Sequence, residues 1–132
     1  MTKIRQQTKQ NNLENKLQPI LRELNSSSSH IEASAVMSRD GLSVASVLGN
    51  GVDPDRLGAM CAALLGLADT TAKELDRGDL KQVLLHGSKG FMLISHVGEK
   101  AVLAVASKPG TNLGMVFVEA KKTAKKIEEV LG

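Results

Sequence analysis

The side chains able to do chemistry in this 132-residue chain are few, and their types and spacing point away from catalysis. The one cysteine, Cys61, falls on the apolar stripe of a helical segment, whereas a nucleophilic thiolate needs exposure beside a positive charge or helix N-terminus. The histidines, His30, His86 and His96, sit at the ends or in the interior of strand-like runs, without the HExxH spacing or paired carboxylates of a zinc site. The close acid pairs, Asp53 with Asp55 and Asp76 with Asp79, lie at helix ends, which accounts for them without acid–base work. There is no GxxxxGK[ST] phosphate loop. The glycine loops GNG (49–51) and HGSKG (86–90) offer backbone N–H groups to an anion, but glycines between strands serve turns first. No catalytic residue, no metal and no cofactor is expected.

The totals agree with a binding protein. The length suits one domain with a real core. A lone cysteine rules out an intrachain disulfide, and with no apolar leader and no run of 18 apolar residues the expected location is cytoplasmic, with no membrane insertion. The net charge of +3 comes from Lys3, Arg5, Lys9 and Lys16 against Glu14, while the rest of the chain balances 13 basic with 13 acidic residues. With no Trp, no Tyr and only Phe91 and Phe117, the neutral part has no platform for stacking bases, so nucleic acid is not an expected partner.

The elements that must position any surface are organised around residues 53–77, DPDRLGAMCAALLGLADTTAKELDR. Asp53 is a good N-cap, Pro54 suits the first helical position, and Asp55 meets the positive end of the helix dipole. At 100° per residue, Leu57, Met60, Cys61, Leu64, Leu67, Ala68, Thr71 and Leu75 share a face, the expected core stripe. The other face carries Gly58, Ala59, Ala62, Ala63, Leu65 and Gly66, with no charge between Arg56 and Asp69. Each interior glycine costs roughly 1 kcal/mol against alanine, so close approach of another backbone is expected there. A second copy of the chain is the preferred occupant; a loop or the first helix of the same chain is the alternative.

Residues 1–12 are polar and Gln/Asn-rich and read as a disordered arm or a frayed helix start, ahead of one domain over 13–132. Leu13, Leu17, Ile20, Leu21 and Leu24 mark an amphipathic helix that stops at Asn25 and four serines, with Pro19 either kinking it or starting its regular part. Strands at 30–38 and 42–48 join through Asp40-Gly41, with Ile31, Ala33, Ala35 and Met37 on one face of the first. Beyond the central helix, 79–86, 90–97 and 100–107 form a meander whose first strand is half polar and whose other two are nearly continuous apolar runs. A last helix from Thr111-Asn112 has Leu113, Val116, Phe117, Ala120, Ala124, Ile127 and Leu131 on one face and Lys121, Lys122, Lys125 and Lys126 on the other. The expected fold is α+β: a five-stranded antiparallel sheet with three helices in the order αββαβββα.

Over roughly residues 13–131 the chain resembles the roadblock/LC7 family. The resemblance rests on VMSRDGLSVAS (36–46), GVDPDRLGAMCAALLGLADTTAKELDRGDLKQVLL (51–85), FMLISHVGEKAVLAV (91–105) and Asn112-Leu113-Gly114. It implies the profilin-like roadblock fold and a homodimer pairing the third strand and second helix across a two-fold axis. By that analogy the seam is Gly58, Ala62, Leu65, Gly66, Gln82 and Leu84. The resemblance also implies a regulator of a Ras-like small GTPase, similar to the gliding-motility polarity regulator that activates GTP hydrolysis, with Arg56, Leu57, Ala59, Met60, Ala63 and Lys73 contacting the partner. A scaffold or adaptor without effect on hydrolysis, and a small-ligand sensor, are the alternative readings.

Overall fold

A computed structural model describes residues 2–132, with side chains from residue 11 onward. The elements are α1 (Thr2–Ser27), β1 (Ile31–Ser38), β2 (Ser43–Val47), α2 (Pro54–Glu74), β3 (Gln82–Gly87), β4 (Gly90–Val97), β5 (Ala101–Ser107) and α3 (Leu113–Leu131), in the expected order. The strands pair antiparallel in one sheet of order β2-β1-β5-β4-β3. The last strand is therefore the central one. Burial on both faces explains the unbroken apolar run of β5, and its edge position explains the mixed character of β3.

Helices cover both faces. On one, Leu17, Leu21 and Leu24 of α1 and Val116, Ala120 and Ile127 of α3 meet Val36, Leu93, Leu103 and Val105. Full burial of Leu17, Leu21 or Ile127 contributes about 1.5–3 kcal/mol each. On the other, Cys61 and Leu65 of α2 meet Ala35, Met37, Ile94, Val102 and Ala104. Polar contacts fasten α1 to the sheet: Gln18 Nε2 donates to the Ser46 carbonyl at 2.7 Å, and Ser34 Oγ to Asn25 Oδ1 at 2.6 Å.

Several boundaries differ from the sequence reading. Helix α1 starts at Thr2, so the stretch read as an arm continues the helix; its Gln, Lys, Arg and Asn residues include no helix breaker. It also continues through Pro19. That residue and Asn15, whose carbonyl the missing N–H leaves free, are both exposed, so water replaces the lost bond. Ile31 belongs to the α1/α3 face, not with Ala35 and Met37, because the register with β5 shifts between Ile31 and Ala33. Helix α2 ends before Gly78: Asp76, at φ 55°, donates its N–H to the Lys73 carbonyl, and Arg77 to that of Ala72, a Schellman close in which Asp takes the usual glycine's place.

The largest correction concerns the face of α2. Its buried residues are Gly58, Cys61 and Leu65, while Met60, Leu64, Leu67 and Leu75, expected inside, are exposed. The helix is turned about a quarter-turn from the expected setting. The cause is at its first turn. A Cβ on Gly58 would collide with the Gly41 carbonyl oxygen, and one on Gly41, at φ +90°, would lie 2.8 Å from the Gly58 carbonyl. Of the small-residue side of α2, Gly58 and Ala62 are thus seated against Gly41 of the β1–β2 hairpin of their own chain.

Replacing Gly58 with alanine is expected to destabilise the fold by about 1–3 kcal/mol in urea titrations, as overpacking does. Gly66 has nothing within 4 Å of an added Cβ, so Gly66→Ala is expected to stabilise by about 0.5–1 kcal/mol. Equal effects of the two would contradict this placement.

Candidate partner-binding surface

The outward side of α2 is built by ordinary helix chemistry with an unusual composition. Asp53 caps the helix, its Oδ1 accepting from the Asp55 N–H at 3.0 Å, and Pro54 opens the first turn. From there Arg56, Met60, Ala63 and Leu67 follow one another along one exposed line. Leu67 is 70% and Met60 50% exposed, and Leu64 and Leu75 flank them. Along the edge of the sheet, Leu84 and Leu85 of β3 are also exposed. Strand β3 pairs only with β4, so its outer N–H and C=O groups have no strand partner among the described residues. An exposed apolar helix face beside an unpaired strand edge is a surface that proteins cover.

The residues expected to contact a partner divide by burial. Arg56, Ala59, Met60, Ala63 and Lys73 are exposed on α2, whereas Leu57 is half-buried against the sheet-side core. Of those expected in a dimer seam, Gly66 on α2 and Gln82 and Leu84 on β3 are exposed. Ala62 is half-buried, Gly58 is seated on Gly41, and Leu65 lies in the core. The sequence reading missed Leu64, Leu67 and Leu75, assigned to the core, and Leu85. The available signal was an excess of apolar residues around the helix, more than one core-facing stripe can use.

Burial pushes the Cys61 thiol above its ordinary value of 9.0, so it stays protonated at neutral pH. Among the described residues no group of three or more His, Cys, Asp and Glu side chains is placed to hold a metal ion, and no helix is long and apolar enough to cross a membrane. A pocket of about 230 Å³ beside the first turn of α2 is lined by Ala33, Ser34, Leu48, Val52, Leu57, Met92, Ala104 and Ala106. Its single hydroxyl is engaged elsewhere, donated to Asn25. Near the far end of α2, Lys73 Nζ lies 3.1 Å from Asp69 Oδ2, an exposed pair one turn apart on the same helix. That hydrogen bond, with help from the Leu80 backbone and His96, holds the Asp69 carboxyl below its ordinary value.

The fold and this surface together define a profilin-like α+β domain whose free apolar area is a helix face and a strand edge. Comparison with known proteins identifies its relatives. Residues 18–107 match the Roadblock/LC7 domain family. The uncharacterized protein MJ1340 of Methanocaldococcus jannaschii is 38% identical over 109 residues, spanning 83% of this chain and 94% of that one. The chain belongs to the Roadblock/LC7 family. Solved structures agree in fold. The gliding protein MglB of Thermus thermophilus superposes with a TM-score of 0.77 at 16% identity, over 89% of this chain and 90% of that one. Profilin of Schizosaccharomyces pombe superposes with a TM-score of 0.63 at 14% identity, over 86% and 97%.

One titration probes the end of the sheet that meets α2. Arg39 Nη2 donates to His96 Nδ1 at 3.2 Å, which leaves the ring proton on Nε2. Partial burial first, then the Arg39 charge, lower the His96 pKa below 6.5, with Asp69 opposing. Because the folded pKa is the depressed one, the stability from neutral His96 is complete above 6.5 and is lost as pH falls through and below it. An NMR titration should place His96 below 6.5, and Arg39→Ala should raise its midpoint; an unmoved midpoint would contradict the contact.

Proposed function

We propose that this chain is a homodimeric regulator of a Ras-like small GTPase, acting by protein–protein contact. The observation that carries the reading is the exposed apolar line of α2 beside the unpaired edge of β3. Antiparallel pairing of two β3 edges satisfies the free backbone groups and brings the C-terminal halves of two α2 helices together. In this arrangement Gly66, Gln82 and Leu84, joined by Leu67, Leu75 and Leu85, form the seam. Gly58 and Leu65 are already used inside the chain.

The first turns of α2 then remain free for the GTPase. Arg56, Ala59, Met60 and Ala63 lie there together, and Leu57 supports them from below, whereas Lys73 lies in the half of α2 given to the seam. Division of α2 between two tasks resolves the competition of seam and docking surface for one helix. Family membership and the likeness in fold to the gliding protein MglB support the reading. Acceleration of hydrolysis would come from repositioning the GTPase's own residues, because water orientation and charge stabilisation limit that reaction. The ligand-sensor alternative is weaker because the pocket beside α2 has no free polar side chain to orient a small molecule.

Light scattering should show a dimer for the parent chain and a monomer for Leu67→Arg or Gly66→Arg with an unchanged circular dichroism spectrum; a dimer in both variants would remove this seam. In single-turnover hydrolysis, the parent chain should accelerate its GTPase at least roughly ten-fold, about 1.4 kcal/mol off the barrier, and Arg56→Ala should weaken binding. Binding without acceleration would leave the adaptor reading.

A further inference from the structure

The opposite face of the sheet carries a second open surface that the α2 reading does not use. Helix α1 lies over β1 and β2, and α3 over β4 and β5, so β3 is the least covered strand on this face. Between α3 and the β3–β4 edge runs a groove of about 540 Å³. Its floor holds Leu93 and Ser95 of β4 and Gln82 of β3, and its wall holds Phe117, Ala120 and Ala124 of α3. The groove exists because of side-chain size. After Phe117 the groove side of α3 continues with alanines, which are too short to reach β3.

The rim of this groove is basic. Lys81 and Lys121 line it, and Lys125 lies one turn beyond Lys121 on α3. The ion pairs formed by lysines among the described residues are Lys73 with Asp69, Lys122 with Glu119 and Lys126 with Glu23. Lys81, Lys121 and Lys125 have no acidic partner among them. Lys122 and Lys126 of α3 each have a carboxylate within 4 Å, whereas the lysines at the groove have none among the described residues. An apolar wall of Phe117 and Ala124 beside an unpaired cationic rim is complementary to an amphipathic helix with carboxylates along one flank.

We propose that this groove docks an acidic amphipathic helix of a partner protein. The apolar stripe of that helix lies on the partly exposed Phe117 and Ala124, with Leu93 and Ala120 buried beneath, and its Glu or Asp residues meet Lys81, Lys121 and Lys125. A nucleic acid fits less well, because Phe117 is the one phenyl ring lining the groove and stacking of successive bases needs more than one. A membrane surface fits less well, because the apolar residues are recessed and not projecting. The groove lies on the face away from α2. It stands apart from the GTPase contact and meets the seam at Gln82 of the β3 edge.

The test is fluorescence anisotropy with the full chain and two labelled helical peptides that share a Leu/Ala face, one flanked by Glu and the other by Lys. The acidic peptide should bind in the micromolar range, with affinity falling as salt rises, and the Lys peptide should not. The Lys81→Glu, Lys121→Glu double variant should weaken binding at least roughly ten-fold, since each partner charge changes from attraction to repulsion. Ala124→Trp should fill the groove and block binding with every lysine in place, its thermal melt confirming that the fold survives. Leu67→Arg on the other face should leave binding unchanged. No binding of the acidic peptide, equal binding of both peptides, unchanged affinity in either groove variant, or adsorption to phosphatidylglycerol vesicles without peptide binding would overturn the proposal.

Discussion

The contact between Gly58 and Gly41 sets the arrangement of everything on one side of this molecule. Two backbones approach so closely there that neither residue has room for a Cβ. The first turn of α2 is thereby held down on the β1–β2 hairpin, and the rotation of the whole helix follows from that point. Cys61 and Leu65 fall inward one and two turns later, and Met60, Leu64 and Leu67 fall outward. Exposure of large apolar side chains is costly in water, and the chain accepts it along the helix beside its free sheet edge.

The two faces of the sheet solve packing differently. Toward α1 and α3 the sheet presents Val36, Leu93, Leu103 and Val105, and the helices bury full leucine and isoleucine side chains on them. Toward α2 it presents alanines, Ala35 and Ala104, beside Met37, Ile94 and Val102. A small-residue floor suits a small-residue helix face. One face therefore supplies most of the core, and the other spends fewer apolar contacts on its own stability. The surplus apolar surface of α2 and the free edge of β3 are what the chain itself leaves uncovered.

Much of this architecture was legible in the sequence because local signals agreed with one another. Asp40-Gly41, the short loops around Gly90 and Gly98, and the apolar runs of β4 and β5 led to the observed element order and to an antiparallel sheet. The capping of α2 by Asp53 and Pro54 was equally local. What failed depended on non-local geometry. The face of α2 could not be set by periodicity, since apolar residues surround that helix and the deciding contact lies 17 positions away at Gly41. A helical small-residue strip reads alike whether it meets a second copy or its own hairpin. Ile31 was misplaced because a register shift leaves no mark in the alternation of a strand. Arg56, Ala59, Met60 and Ala63, expected at a partner surface, are exposed in the fold, while Leu64, Leu67 and Leu75 were assigned to the core by the same error.

Leu67 lies outside the fold and, in the proposed dimer, inside the seam, so thiol reactivity at this position tests the proposal most directly. A Leu67→Cys variant in a Cys61→Ser background is mixed with a thiol reagent at nanomolar and at high micromolar protein concentration. The account predicts fast reaction when dilute and strong protection when concentrated, as the seam forms. Slow reaction at both concentrations would put Leu67 in the core, and fast reaction at both would leave the α2 face uncovered by a second copy; either result contradicts the account.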